Sequence, residues 1–404
     1  MNGAEAVQDG RLIKVEGPKL GHIPSFDGLR GLFVVQVVLY HAEITKFLGG
    51  TPIIIDWFFV ASGFLITTLL MDEHNRADDI DLRNFYTRRV LRLFPAMYAM
   101  IAVFSVLLLA VNLIHPTEDT NLWWIESLGA ALYVYFLAAA LFPGSIGMIG
   151  HTWSLTVEEQ FYFFWPPLLR RTLRKATRRA DLWLIGGAIA FIVVFFALRS
   201  GLQHVITASD GSEPKFVDEG HITWQGVVYR IAAVRPDMIV YGCLMAFIAR
   251  WIPRPVPDHI RRLLAVGGYV GWFLFGLTLL VTKPAPPGVT SLFGGTLYQV
   301  ALLGIGVVVL DGYFRQESWY SRAFSVAPAR WLGQRSYGIY LWHVLGLLPF
   351  LPLISESYGV RKLALGLVAS ATGIGLGLLS YRYIERRFLH IKDTRFAKKF
   401  ERTP

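Results

Sequence analysis

The sequence predicts an all-α, polytopic membrane protein with about ten transmembrane helices and one further re-entrant or interfacial segment. Three observations predict it. Apolar residues make up 54% of the 404 residues, and the mean hydropathy is +0.45, far from the balance of a soluble domain. Eleven apolar runs, several as long as the ~20 residues needed to cross a bilayer, are spread along the whole chain. The loops between them alternate in charge, as the two sides of a membrane require.

The runs are 29–46, 52–71, 92–113, 123–141, 153–169, 181–199, 225–250, 263–282, 291–312, 336–354 and 362–383. The loop "RNFYTRRVLR" (83–92) is basic and belongs on the cytoplasmic side, as do "RRTLRKATRR" (170–179), "ARWIPRPVPDHIRR" (249–262) and the C-terminal "KDTRFAKKFERTP". The segments "HPTEDTN" (115–121) and "SDGSEPKFVDEG" (209–220) lean acidic and belong outside. Eleven simple crossings would put 170–179 outside. The conflict disappears if 123–141 does not span but is re-entrant or lies along the interface. "LFPGSIGMIG" (141–150) then fits an irregular turn at membrane depth, tolerated only where protein covers it or it lines a cavity. Ten spans remain, with both termini cytoplasmic in a plasma (inner) membrane. Residues 1–25 read as a mobile tail, 26–390 as one integral domain and 391–404 as a basic cytoplasmic tail. No cleavable signal peptide is evident.

Composition also excludes. The single Cys243 rules out an intrachain disulfide and a cysteine metal cluster, and no metal is expected. In the stretch "YGCLMAF" it reads as a small buried hydrophobe. The net charge of +10 fits basic cytoplasmic loops facing anionic headgroups. No nucleic-acid motif is present, so the bilayer and not nucleic acid is the expected partner.

Ionisable groups inside membrane segments are costly and mark functional candidates. In "DGLRGLFVVQVVLYHAE" (27–43), Arg30 and His41 are eleven residues apart. At ~3.6 residues per turn they project from one helical face, roughly 16 Å apart along the axis. Arg30 alone also fits a snorkelling anchor, and His41 a hydrogen-bonded packing histidine. In "TRRVLRLFP" (87–95), Arg88, Arg89 and Arg92 cluster at the start of an apolar run, with Arg89 and Arg92 on one face. They fit either topogenic arginines or a phosphate site, for which guanidinium forks are suited. "HTWSLTVEEQFYFFWP" (151–166) buries two adjacent glutamates, Glu158 and Glu159, that point ~100° apart. The topology puts Glu158 at the depth of His41, where a carboxylate could fix the tautomer of the imidazole. "VRPDMIVYG" (234–242) adds Arg235 and Asp237, "RSYGIYLWH" (335–343) adds Tyr337 and His343, and "YIERRF" (383–388) closes the last helix.

Together, "DGLRGLFVVQVVLYHA", "DWFFVASGFLIT", "FYTRRVLRLFPAMY", "HTWSLTVEEQFYFFWP", "RPDMIVYGCLMA" and "LGQRSYGIYLWH" resemble, in order, the motifs of the integral-membrane acyltransferase 3 family. The resemblance covers roughly residues 24–390. It implies a ten-helix bundle that moves an acyl group, usually acetyl, from a cytoplasmic acyl-CoA to hydroxyls of glycans, glycolipids, peptidoglycan or secreted natural products. The family's basic residue followed by a histidine in the first helix matches Arg30 and His41. Its paired arginines match Arg89 and Arg92, and its Trp-Ser-Leu-x-x-Glu motif matches Trp153, Ser154, Leu155 and Glu158. Many members carry an appended extracytoplasmic esterase-like domain, which is not expected in this sequence. Where the family has Gly-Val before the aspartate of its second helix, this chain has Ile54 and Ile55 before Asp56.

The resulting expectation is an O-acyltransferase using acetyl-CoA as co-substrate, with a hydroxyl-bearing glycan or glycolipid as acceptor. His41 would act as general base with Glu158 orienting it. Arg88, Arg89 and Arg92 would hold the CoA phosphates. Arg30 or Arg235 would stabilise charge on the thioester oxygen. Trp153, Ser154, Glu159, Asp237, Tyr337 and His343 would support substrate or structure. The alternative is a transporter or flippase for a lipid-linked glycan, since intramembrane charge also marks transport paths; no inverted repeat is visible in the sequence.

Overall fold

The computed structural model describes residues 11–15, 21–114, 123–135, 147–208, 217–218, 221–222, 234–281 and 296–400. The chain is helical: α1 (Pro24–His41), α2 (Ile53–Ala77), α3 (Leu82–Ile114), α4 (Trp123–Ala131), α5 (Trp153–Lys175), α6 (Arg178–Ala208), α7 (Pro236–Trp251), α8 (Asp258–Val281), α9 (Thr296–Phe314), α10 (Trp319–Phe324), α11 (Ala327–Gly333), α12 (Ser336–Leu347), α13 (Leu351–Ser355), α14 (Gly359–Ser380) and α15 (Arg386–Phe400). A 3₁₀ turn, Gly150–Thr152, leads into α5. A π-helical turn, Tyr381–Glu385, joins α14 to α15. The one described ladder is a two-residue antiparallel pairing, Val217–Asp218 with His221–Ile222.

Among the described residues six helices are long and apolar enough to cross a membrane: α2, α3, α6, α8, α9 and the run from Gly359 to Lys392. Helices also form at α1, α5, α7 and α12, where spans are expected. There α1 carries Asp27 and Arg30, α5 carries Glu158 and Glu159, and α7 and α12 are only 16 and 12 residues long. The described part of 123–141 holds a nine-residue helix, α4, roughly 14 Å long against a hydrocarbon core of roughly 30 Å. Most of "LFPGSIGMIG" lies outside the described residues.

Three boundaries differ from the sequence reading. The run 336–354 is not one helix: α12 stops at Leu347 and α13 starts at Leu351, because Pro349 and Pro352 cannot donate to a continuing helix. The run 225–250 is described only from Val234, and its helix starts at Pro236 after Arg235 in the left-handed region (φ 47°). "YIERRF" does not close the last helix, which passes through the π turn and continues as α15 to Phe400.

The chain divides into two compact units. The first comprises Phe47–Ile80, Val157–Ser325 and the stretch up to Phe26. In it α2 and α7 pack backbone to backbone at Gly63 and Gly242, where any Cβ would strike a carbonyl of the opposing helix. Small residues at such crossings are how helices pack tightly in lipid. Its interior also carries charge. Arg199 donates to Asp237 through both Nη atoms at 2.6 Å. Arg235 donates to Asp56 at 2.6 Å and to the Tyr298 hydroxyl. Near the N-terminus, Ile13 is buried, and Arg11 grips Asp181 at the start of α6 with bonds of 2.7 and 2.8 Å.

The second unit comprises Asp27–Lys46, Asp81–Thr156 and the chain from Val326 onward. Its apolar core joins Ala96, Met97, Met100 and Phe104 of α3 with Ala130, Ile149, Leu341 and Trp342. Helices α12 and α14 meet through facing glycines, Gly338 with Gly377 and Gly346 with Gly373. Gly373 lies directly against the backbone of His343.

Candidate active site

Helix α1 delivers His41 as its last residue, and the chain turns away immediately. Glu43 sits in the left-handed region with φ 61°. Gln36, one of the off-face polar residues of α1, donates to the Thr45 hydroxyl at 3.0 Å and ties the turn back to its helix. The Glu43 carboxylate accepts from Lys362 at 2.8 Å and from Lys46 at 2.6 Å. Those ammonium groups, Lys362 foremost, hold its carboxyl below the usual carboxylate range.

His41 faces a second histidine. Its Nδ1 lies 3.1 Å from Nε2 of His343, with ring centroids 5.1 Å apart. The other nitrogen of His343, Nδ1, lies 2.7 Å from the carbonyl oxygen of Tyr340. His151 from the 3₁₀ turn sits beside them, 5.2 Å from His343 between centroids and nearly perpendicular to it. Its Nε2 is 3.1 Å from the Leu341 carbonyl. The Tyr340 hydroxyl donates to the His151 carbonyl at 2.8 Å and lies 2.7 Å from the Ser154 hydroxyl. His343 is fully buried and His151 nearly so, whereas His41 is exposed. The arrangement is an imidazole on an exposed residue supported by a buried one. Among the described residues no group of His, Cys, Asp or Glu could hold a metal ion.

The expected residues divide between the two units. Arg30, His41, Arg88, Arg89, Arg92, Trp153, Ser154, Tyr337 and His343 belong to the second. Arg30 is half-buried on α1, and Trp153 packs on the α3 core. Arg88 and Arg89 are half-buried and Arg92 is exposed, all in the first half of α3. The Arg89 guanidinium lies 5.8 Å from the centre of the Phe85 ring, and Arg92 feels the charge of Glu385 in the π turn. Tyr337 donates to the carbonyl of Leu93 at 2.8 Å, fastening α12 to α3 next to that arginine. Glu158, Glu159, Arg235 and Asp237 belong to the first unit. There Glu158 is half-buried and accepts from Tyr162 at 3.4 Å, and Glu159 is half-buried. Arg235 and Asp237 are buried in the separate ion pairs described above.

Sequence reasoning did not single out His151 and Tyr340. Their signal lay inside motifs already noted: a histidine heading "HTWSL", and a tyrosine one turn before His343 in "YGIYLWH".

Residues 23–381 match the acyltransferase 3 family, described as an acyltransferase domain. Among curated proteins, the chain is 32% identical over 375 residues to the peptidoglycan O-acetyltransferase OatA of Listeria monocytogenes, covering 90% of this chain and 55% of that protein. It is 28% identical over 413 residues to the O-acetyltransferase OatA of Staphylococcus aureus, covering 96% of this chain and 62% of that one. The chain thus spans little more than half the length of these relatives. No solved structure gives a significant match. A family match over most of the chain, on helices that carry its motifs in order, means that this protein belongs to the acyltransferase 3 family of enzymes that transfer acyl groups.

Proposed function

We propose that the protein is a membrane-embedded O-acyltransferase that moves an acyl group, acetyl foremost, from cytoplasmic acyl-CoA to a hydroxyl of a cell-envelope glycan, with peptidoglycan the first acceptor to test. The observation that carries this reading is His41: an exposed imidazole at a helix end, held by a buried histidine. An imidazole has the acid–base range to take a hydroxyl proton near neutrality. The names of the relatives support acetyl as the group and peptidoglycan as the acceptor class.

In this mechanism His41 removes the acceptor hydroxyl proton as the oxygen attacks the thioester carbon. A C–O bond forms and the C–S bond breaks. The CoA thiolate leaves and takes the proton back from the imidazolium. Arg88, Arg89 and Arg92 hold the CoA phosphates through charge-assisted bonds, and Arg30, roughly 16 Å along α1 from His41, serves the CoA end of the donor. Glu158, the acid of the Trp-Ser-Leu-x-x-Glu motif, is required for transfer. A variant route passes the acyl group through an acyl-histidine, which rapid-quench trapping of labelled enzyme would reveal.

The test is transfer of labelled acetyl from acetyl-CoA to peptidoglycan fragments by protein in lipid nanodiscs, with CoA thiol release read in parallel. Wild-type protein should acylate the glycan. His41→Ala should abolish transfer while eluting as a folded monodisperse protein. Full transfer by folded H41A would overturn the assignment.

A further inference from the structure

We propose that His343 is a positioning residue that locks His41 in the Nδ1–H tautomer, so that Nε2 of His41 is the unprotonated nitrogen offered to substrate. The proposal rests on the reading of His41 as the base and deepens it.

The argument is one of hydrogen-bond bookkeeping. A carbonyl oxygen can only accept, so the 2.7 Å contact between His343 Nδ1 and the Tyr340 carbonyl requires a proton on that Nδ1. His343 is fully buried, and its hydrogen-bonding neighbours are the backbone carbonyls of Tyr340 and Ile339 and an imidazole, none of which carries the negative charge that would offset a cation. A buried cation without a counter-charge is very costly, so His343 is neutral and its Nε2 carries a lone pair. The 3.1 Å contact between that Nε2 and Nδ1 of His41 then needs its proton on His41. Neutral His41 with a protonated Nδ1 has Nε2 unprotonated.

Two further features hold the chain of bonds in register. His343 sits in α12 with Gly373 of α14 against its backbone, so that α14 backs the helix at this residue. His151 packs edge-on to the His343 ring and is itself fixed by the Leu341 carbonyl. His343 therefore does for His41 what a carboxylate does in a Ser-His-Asp triad, fixing tautomer and orientation, without placing a charge in the interior. When His41 Nε2 takes the acceptor proton, its Nδ1–H bond to His343 becomes charge-assisted and stronger. The stabilisation appears as the imidazolium forms, which is where it speeds the step.

The test has a spectroscopic and a kinetic arm. In ¹⁵N-histidine-labelled protein in bilayers, solid-state NMR should give His41, assigned by its loss in H41A, a protonated pyrrole-type Nδ1 and an unprotonated pyridine-type Nε2. In His343→Phe, which keeps a buried ring but no acceptor, kcat should fall roughly 10²–10⁴-fold, the span set by losing an orienting partner. KM for acetyl-CoA should stay within about threefold, because the donor phosphates are bound elsewhere. His343→Gln, whose amide supplies both N–H donors and an acceptor oxygen, should recover at least roughly tenfold of the H343F loss. A His41 protonated on Nε2 in wild type, or H343Q no better than a folded H343F, would overturn the proposal. Transfer by H41A would instead overturn the assignment of His41 as base, and the NMR arm would still report the tautomer.

Discussion

Arg235 illustrates what a lone charge in an apolar run does and does not disclose. "VRPDMIVYG" marks it as a residue that needs a partner, and the nearest acid in sequence is Asp237. The structure gives it Asp56, 179 residues away, and gives Asp237 to Arg199. Asp56 and Arg199 were legible by the same rule, as single charges in "IIIDWFF" and "FFALRS", but the pairing was not, because it is a property of helix packing. His41 and His343 were both legible as intramembrane histidines, and their contact was hidden for the same reason. The pairing makes a sharp prediction. Arg235→Ala leaves Asp56 buried without its cation and should destabilise the protein by about 3–5 kcal/mol. The double variant Asp56→Leu/Arg235→Met, which removes both charges, should unfold closer to wild type. Thermal unfolding in detergent reads both, and R235A melting with wild type would refute the role of the pair. On α3 the prediction is kinetic. Arg89→Ala and Arg92→Ala each remove a charge-assisted bond worth about 1.5–3 kcal/mol, so acyl-CoA affinity should drop roughly tenfold or more with kcat at saturating donor nearly unchanged. Unchanged affinity in both variants would return these arginines to a topogenic role.

At the level of helices, hydropathy located the segments and missed their breaks. The run 336–354 is continuously apolar, yet it holds two prolines that end α12 before α13 begins. The π turn at Tyr381–Glu385 carries no proline or glycine, so nothing in its composition announced it. Glycine spacing was more informative than it looked. Gly373 and Gly375 are two residues apart on α14, but a methyl at 373 meets the His343 backbone, whereas at 375 it meets nothing. Gly373→Ala should therefore cost about 1–3 kcal/mol through overpacking and lower turnover by shifting His343. Gly375→Ala should be neutral or slightly stabilising through helix propensity. Equal melting temperatures and rates for the two variants would show that the α12–α14 crossing is not tight. A second element-level clamp lies in the α2–α3 turn, where Asp79 accepts paired bonds from Arg170 at 2.8 and 2.5 Å and from Arg174 at 2.9 and 2.6 Å. Those guanidinium groups, Arg170 first, hold its carboxyl well below the usual range. A depressed carboxylate contributes stability above its unfolded-state value and loses it only as pH falls through the folded-state value. The contribution is no more than about 1 kcal/mol, because all three side chains are partly exposed. The melting-temperature gap between wild type and Asp79→Asn should thus be the same at pH 7 and pH 5 and close only in stronger acid. A gap already gone at pH 5 would contradict the clamp.

For the molecule as a whole, apolar content and run length were enough to give an all-α membrane protein, because each span must satisfy its backbone internally. The division into two units was not legible, since each unit is assembled from interleaved stretches of chain and no linker marks the boundary. Sidedness rests on the charge of the loops and on whether 123–141 crosses. The described helix of that segment, α4, has nine residues and is too short to cross alone. Cysteine labelling tests this with little background, because the one native thiol, Cys243, is fully buried and bonded to the Ile239 carbonyl at 3.3 Å. Thr117→Cys and Ser145→Cys should both react with a membrane-impermeant maleimide applied to intact cells. Ala176→Cys, in the basic turn between α5 and α6, should react only after the membrane is opened. If Ser145→Cys were instead protected alongside Ala176→Cys, segment 123–141 would cross, α5 would begin and end on the cytoplasmic side, and the ten-span arrangement would fail. If all three behave as expected, the arginines at the start of α3 share the cytoplasmic face with Ala176, the side from which an acyl-CoA would be drawn.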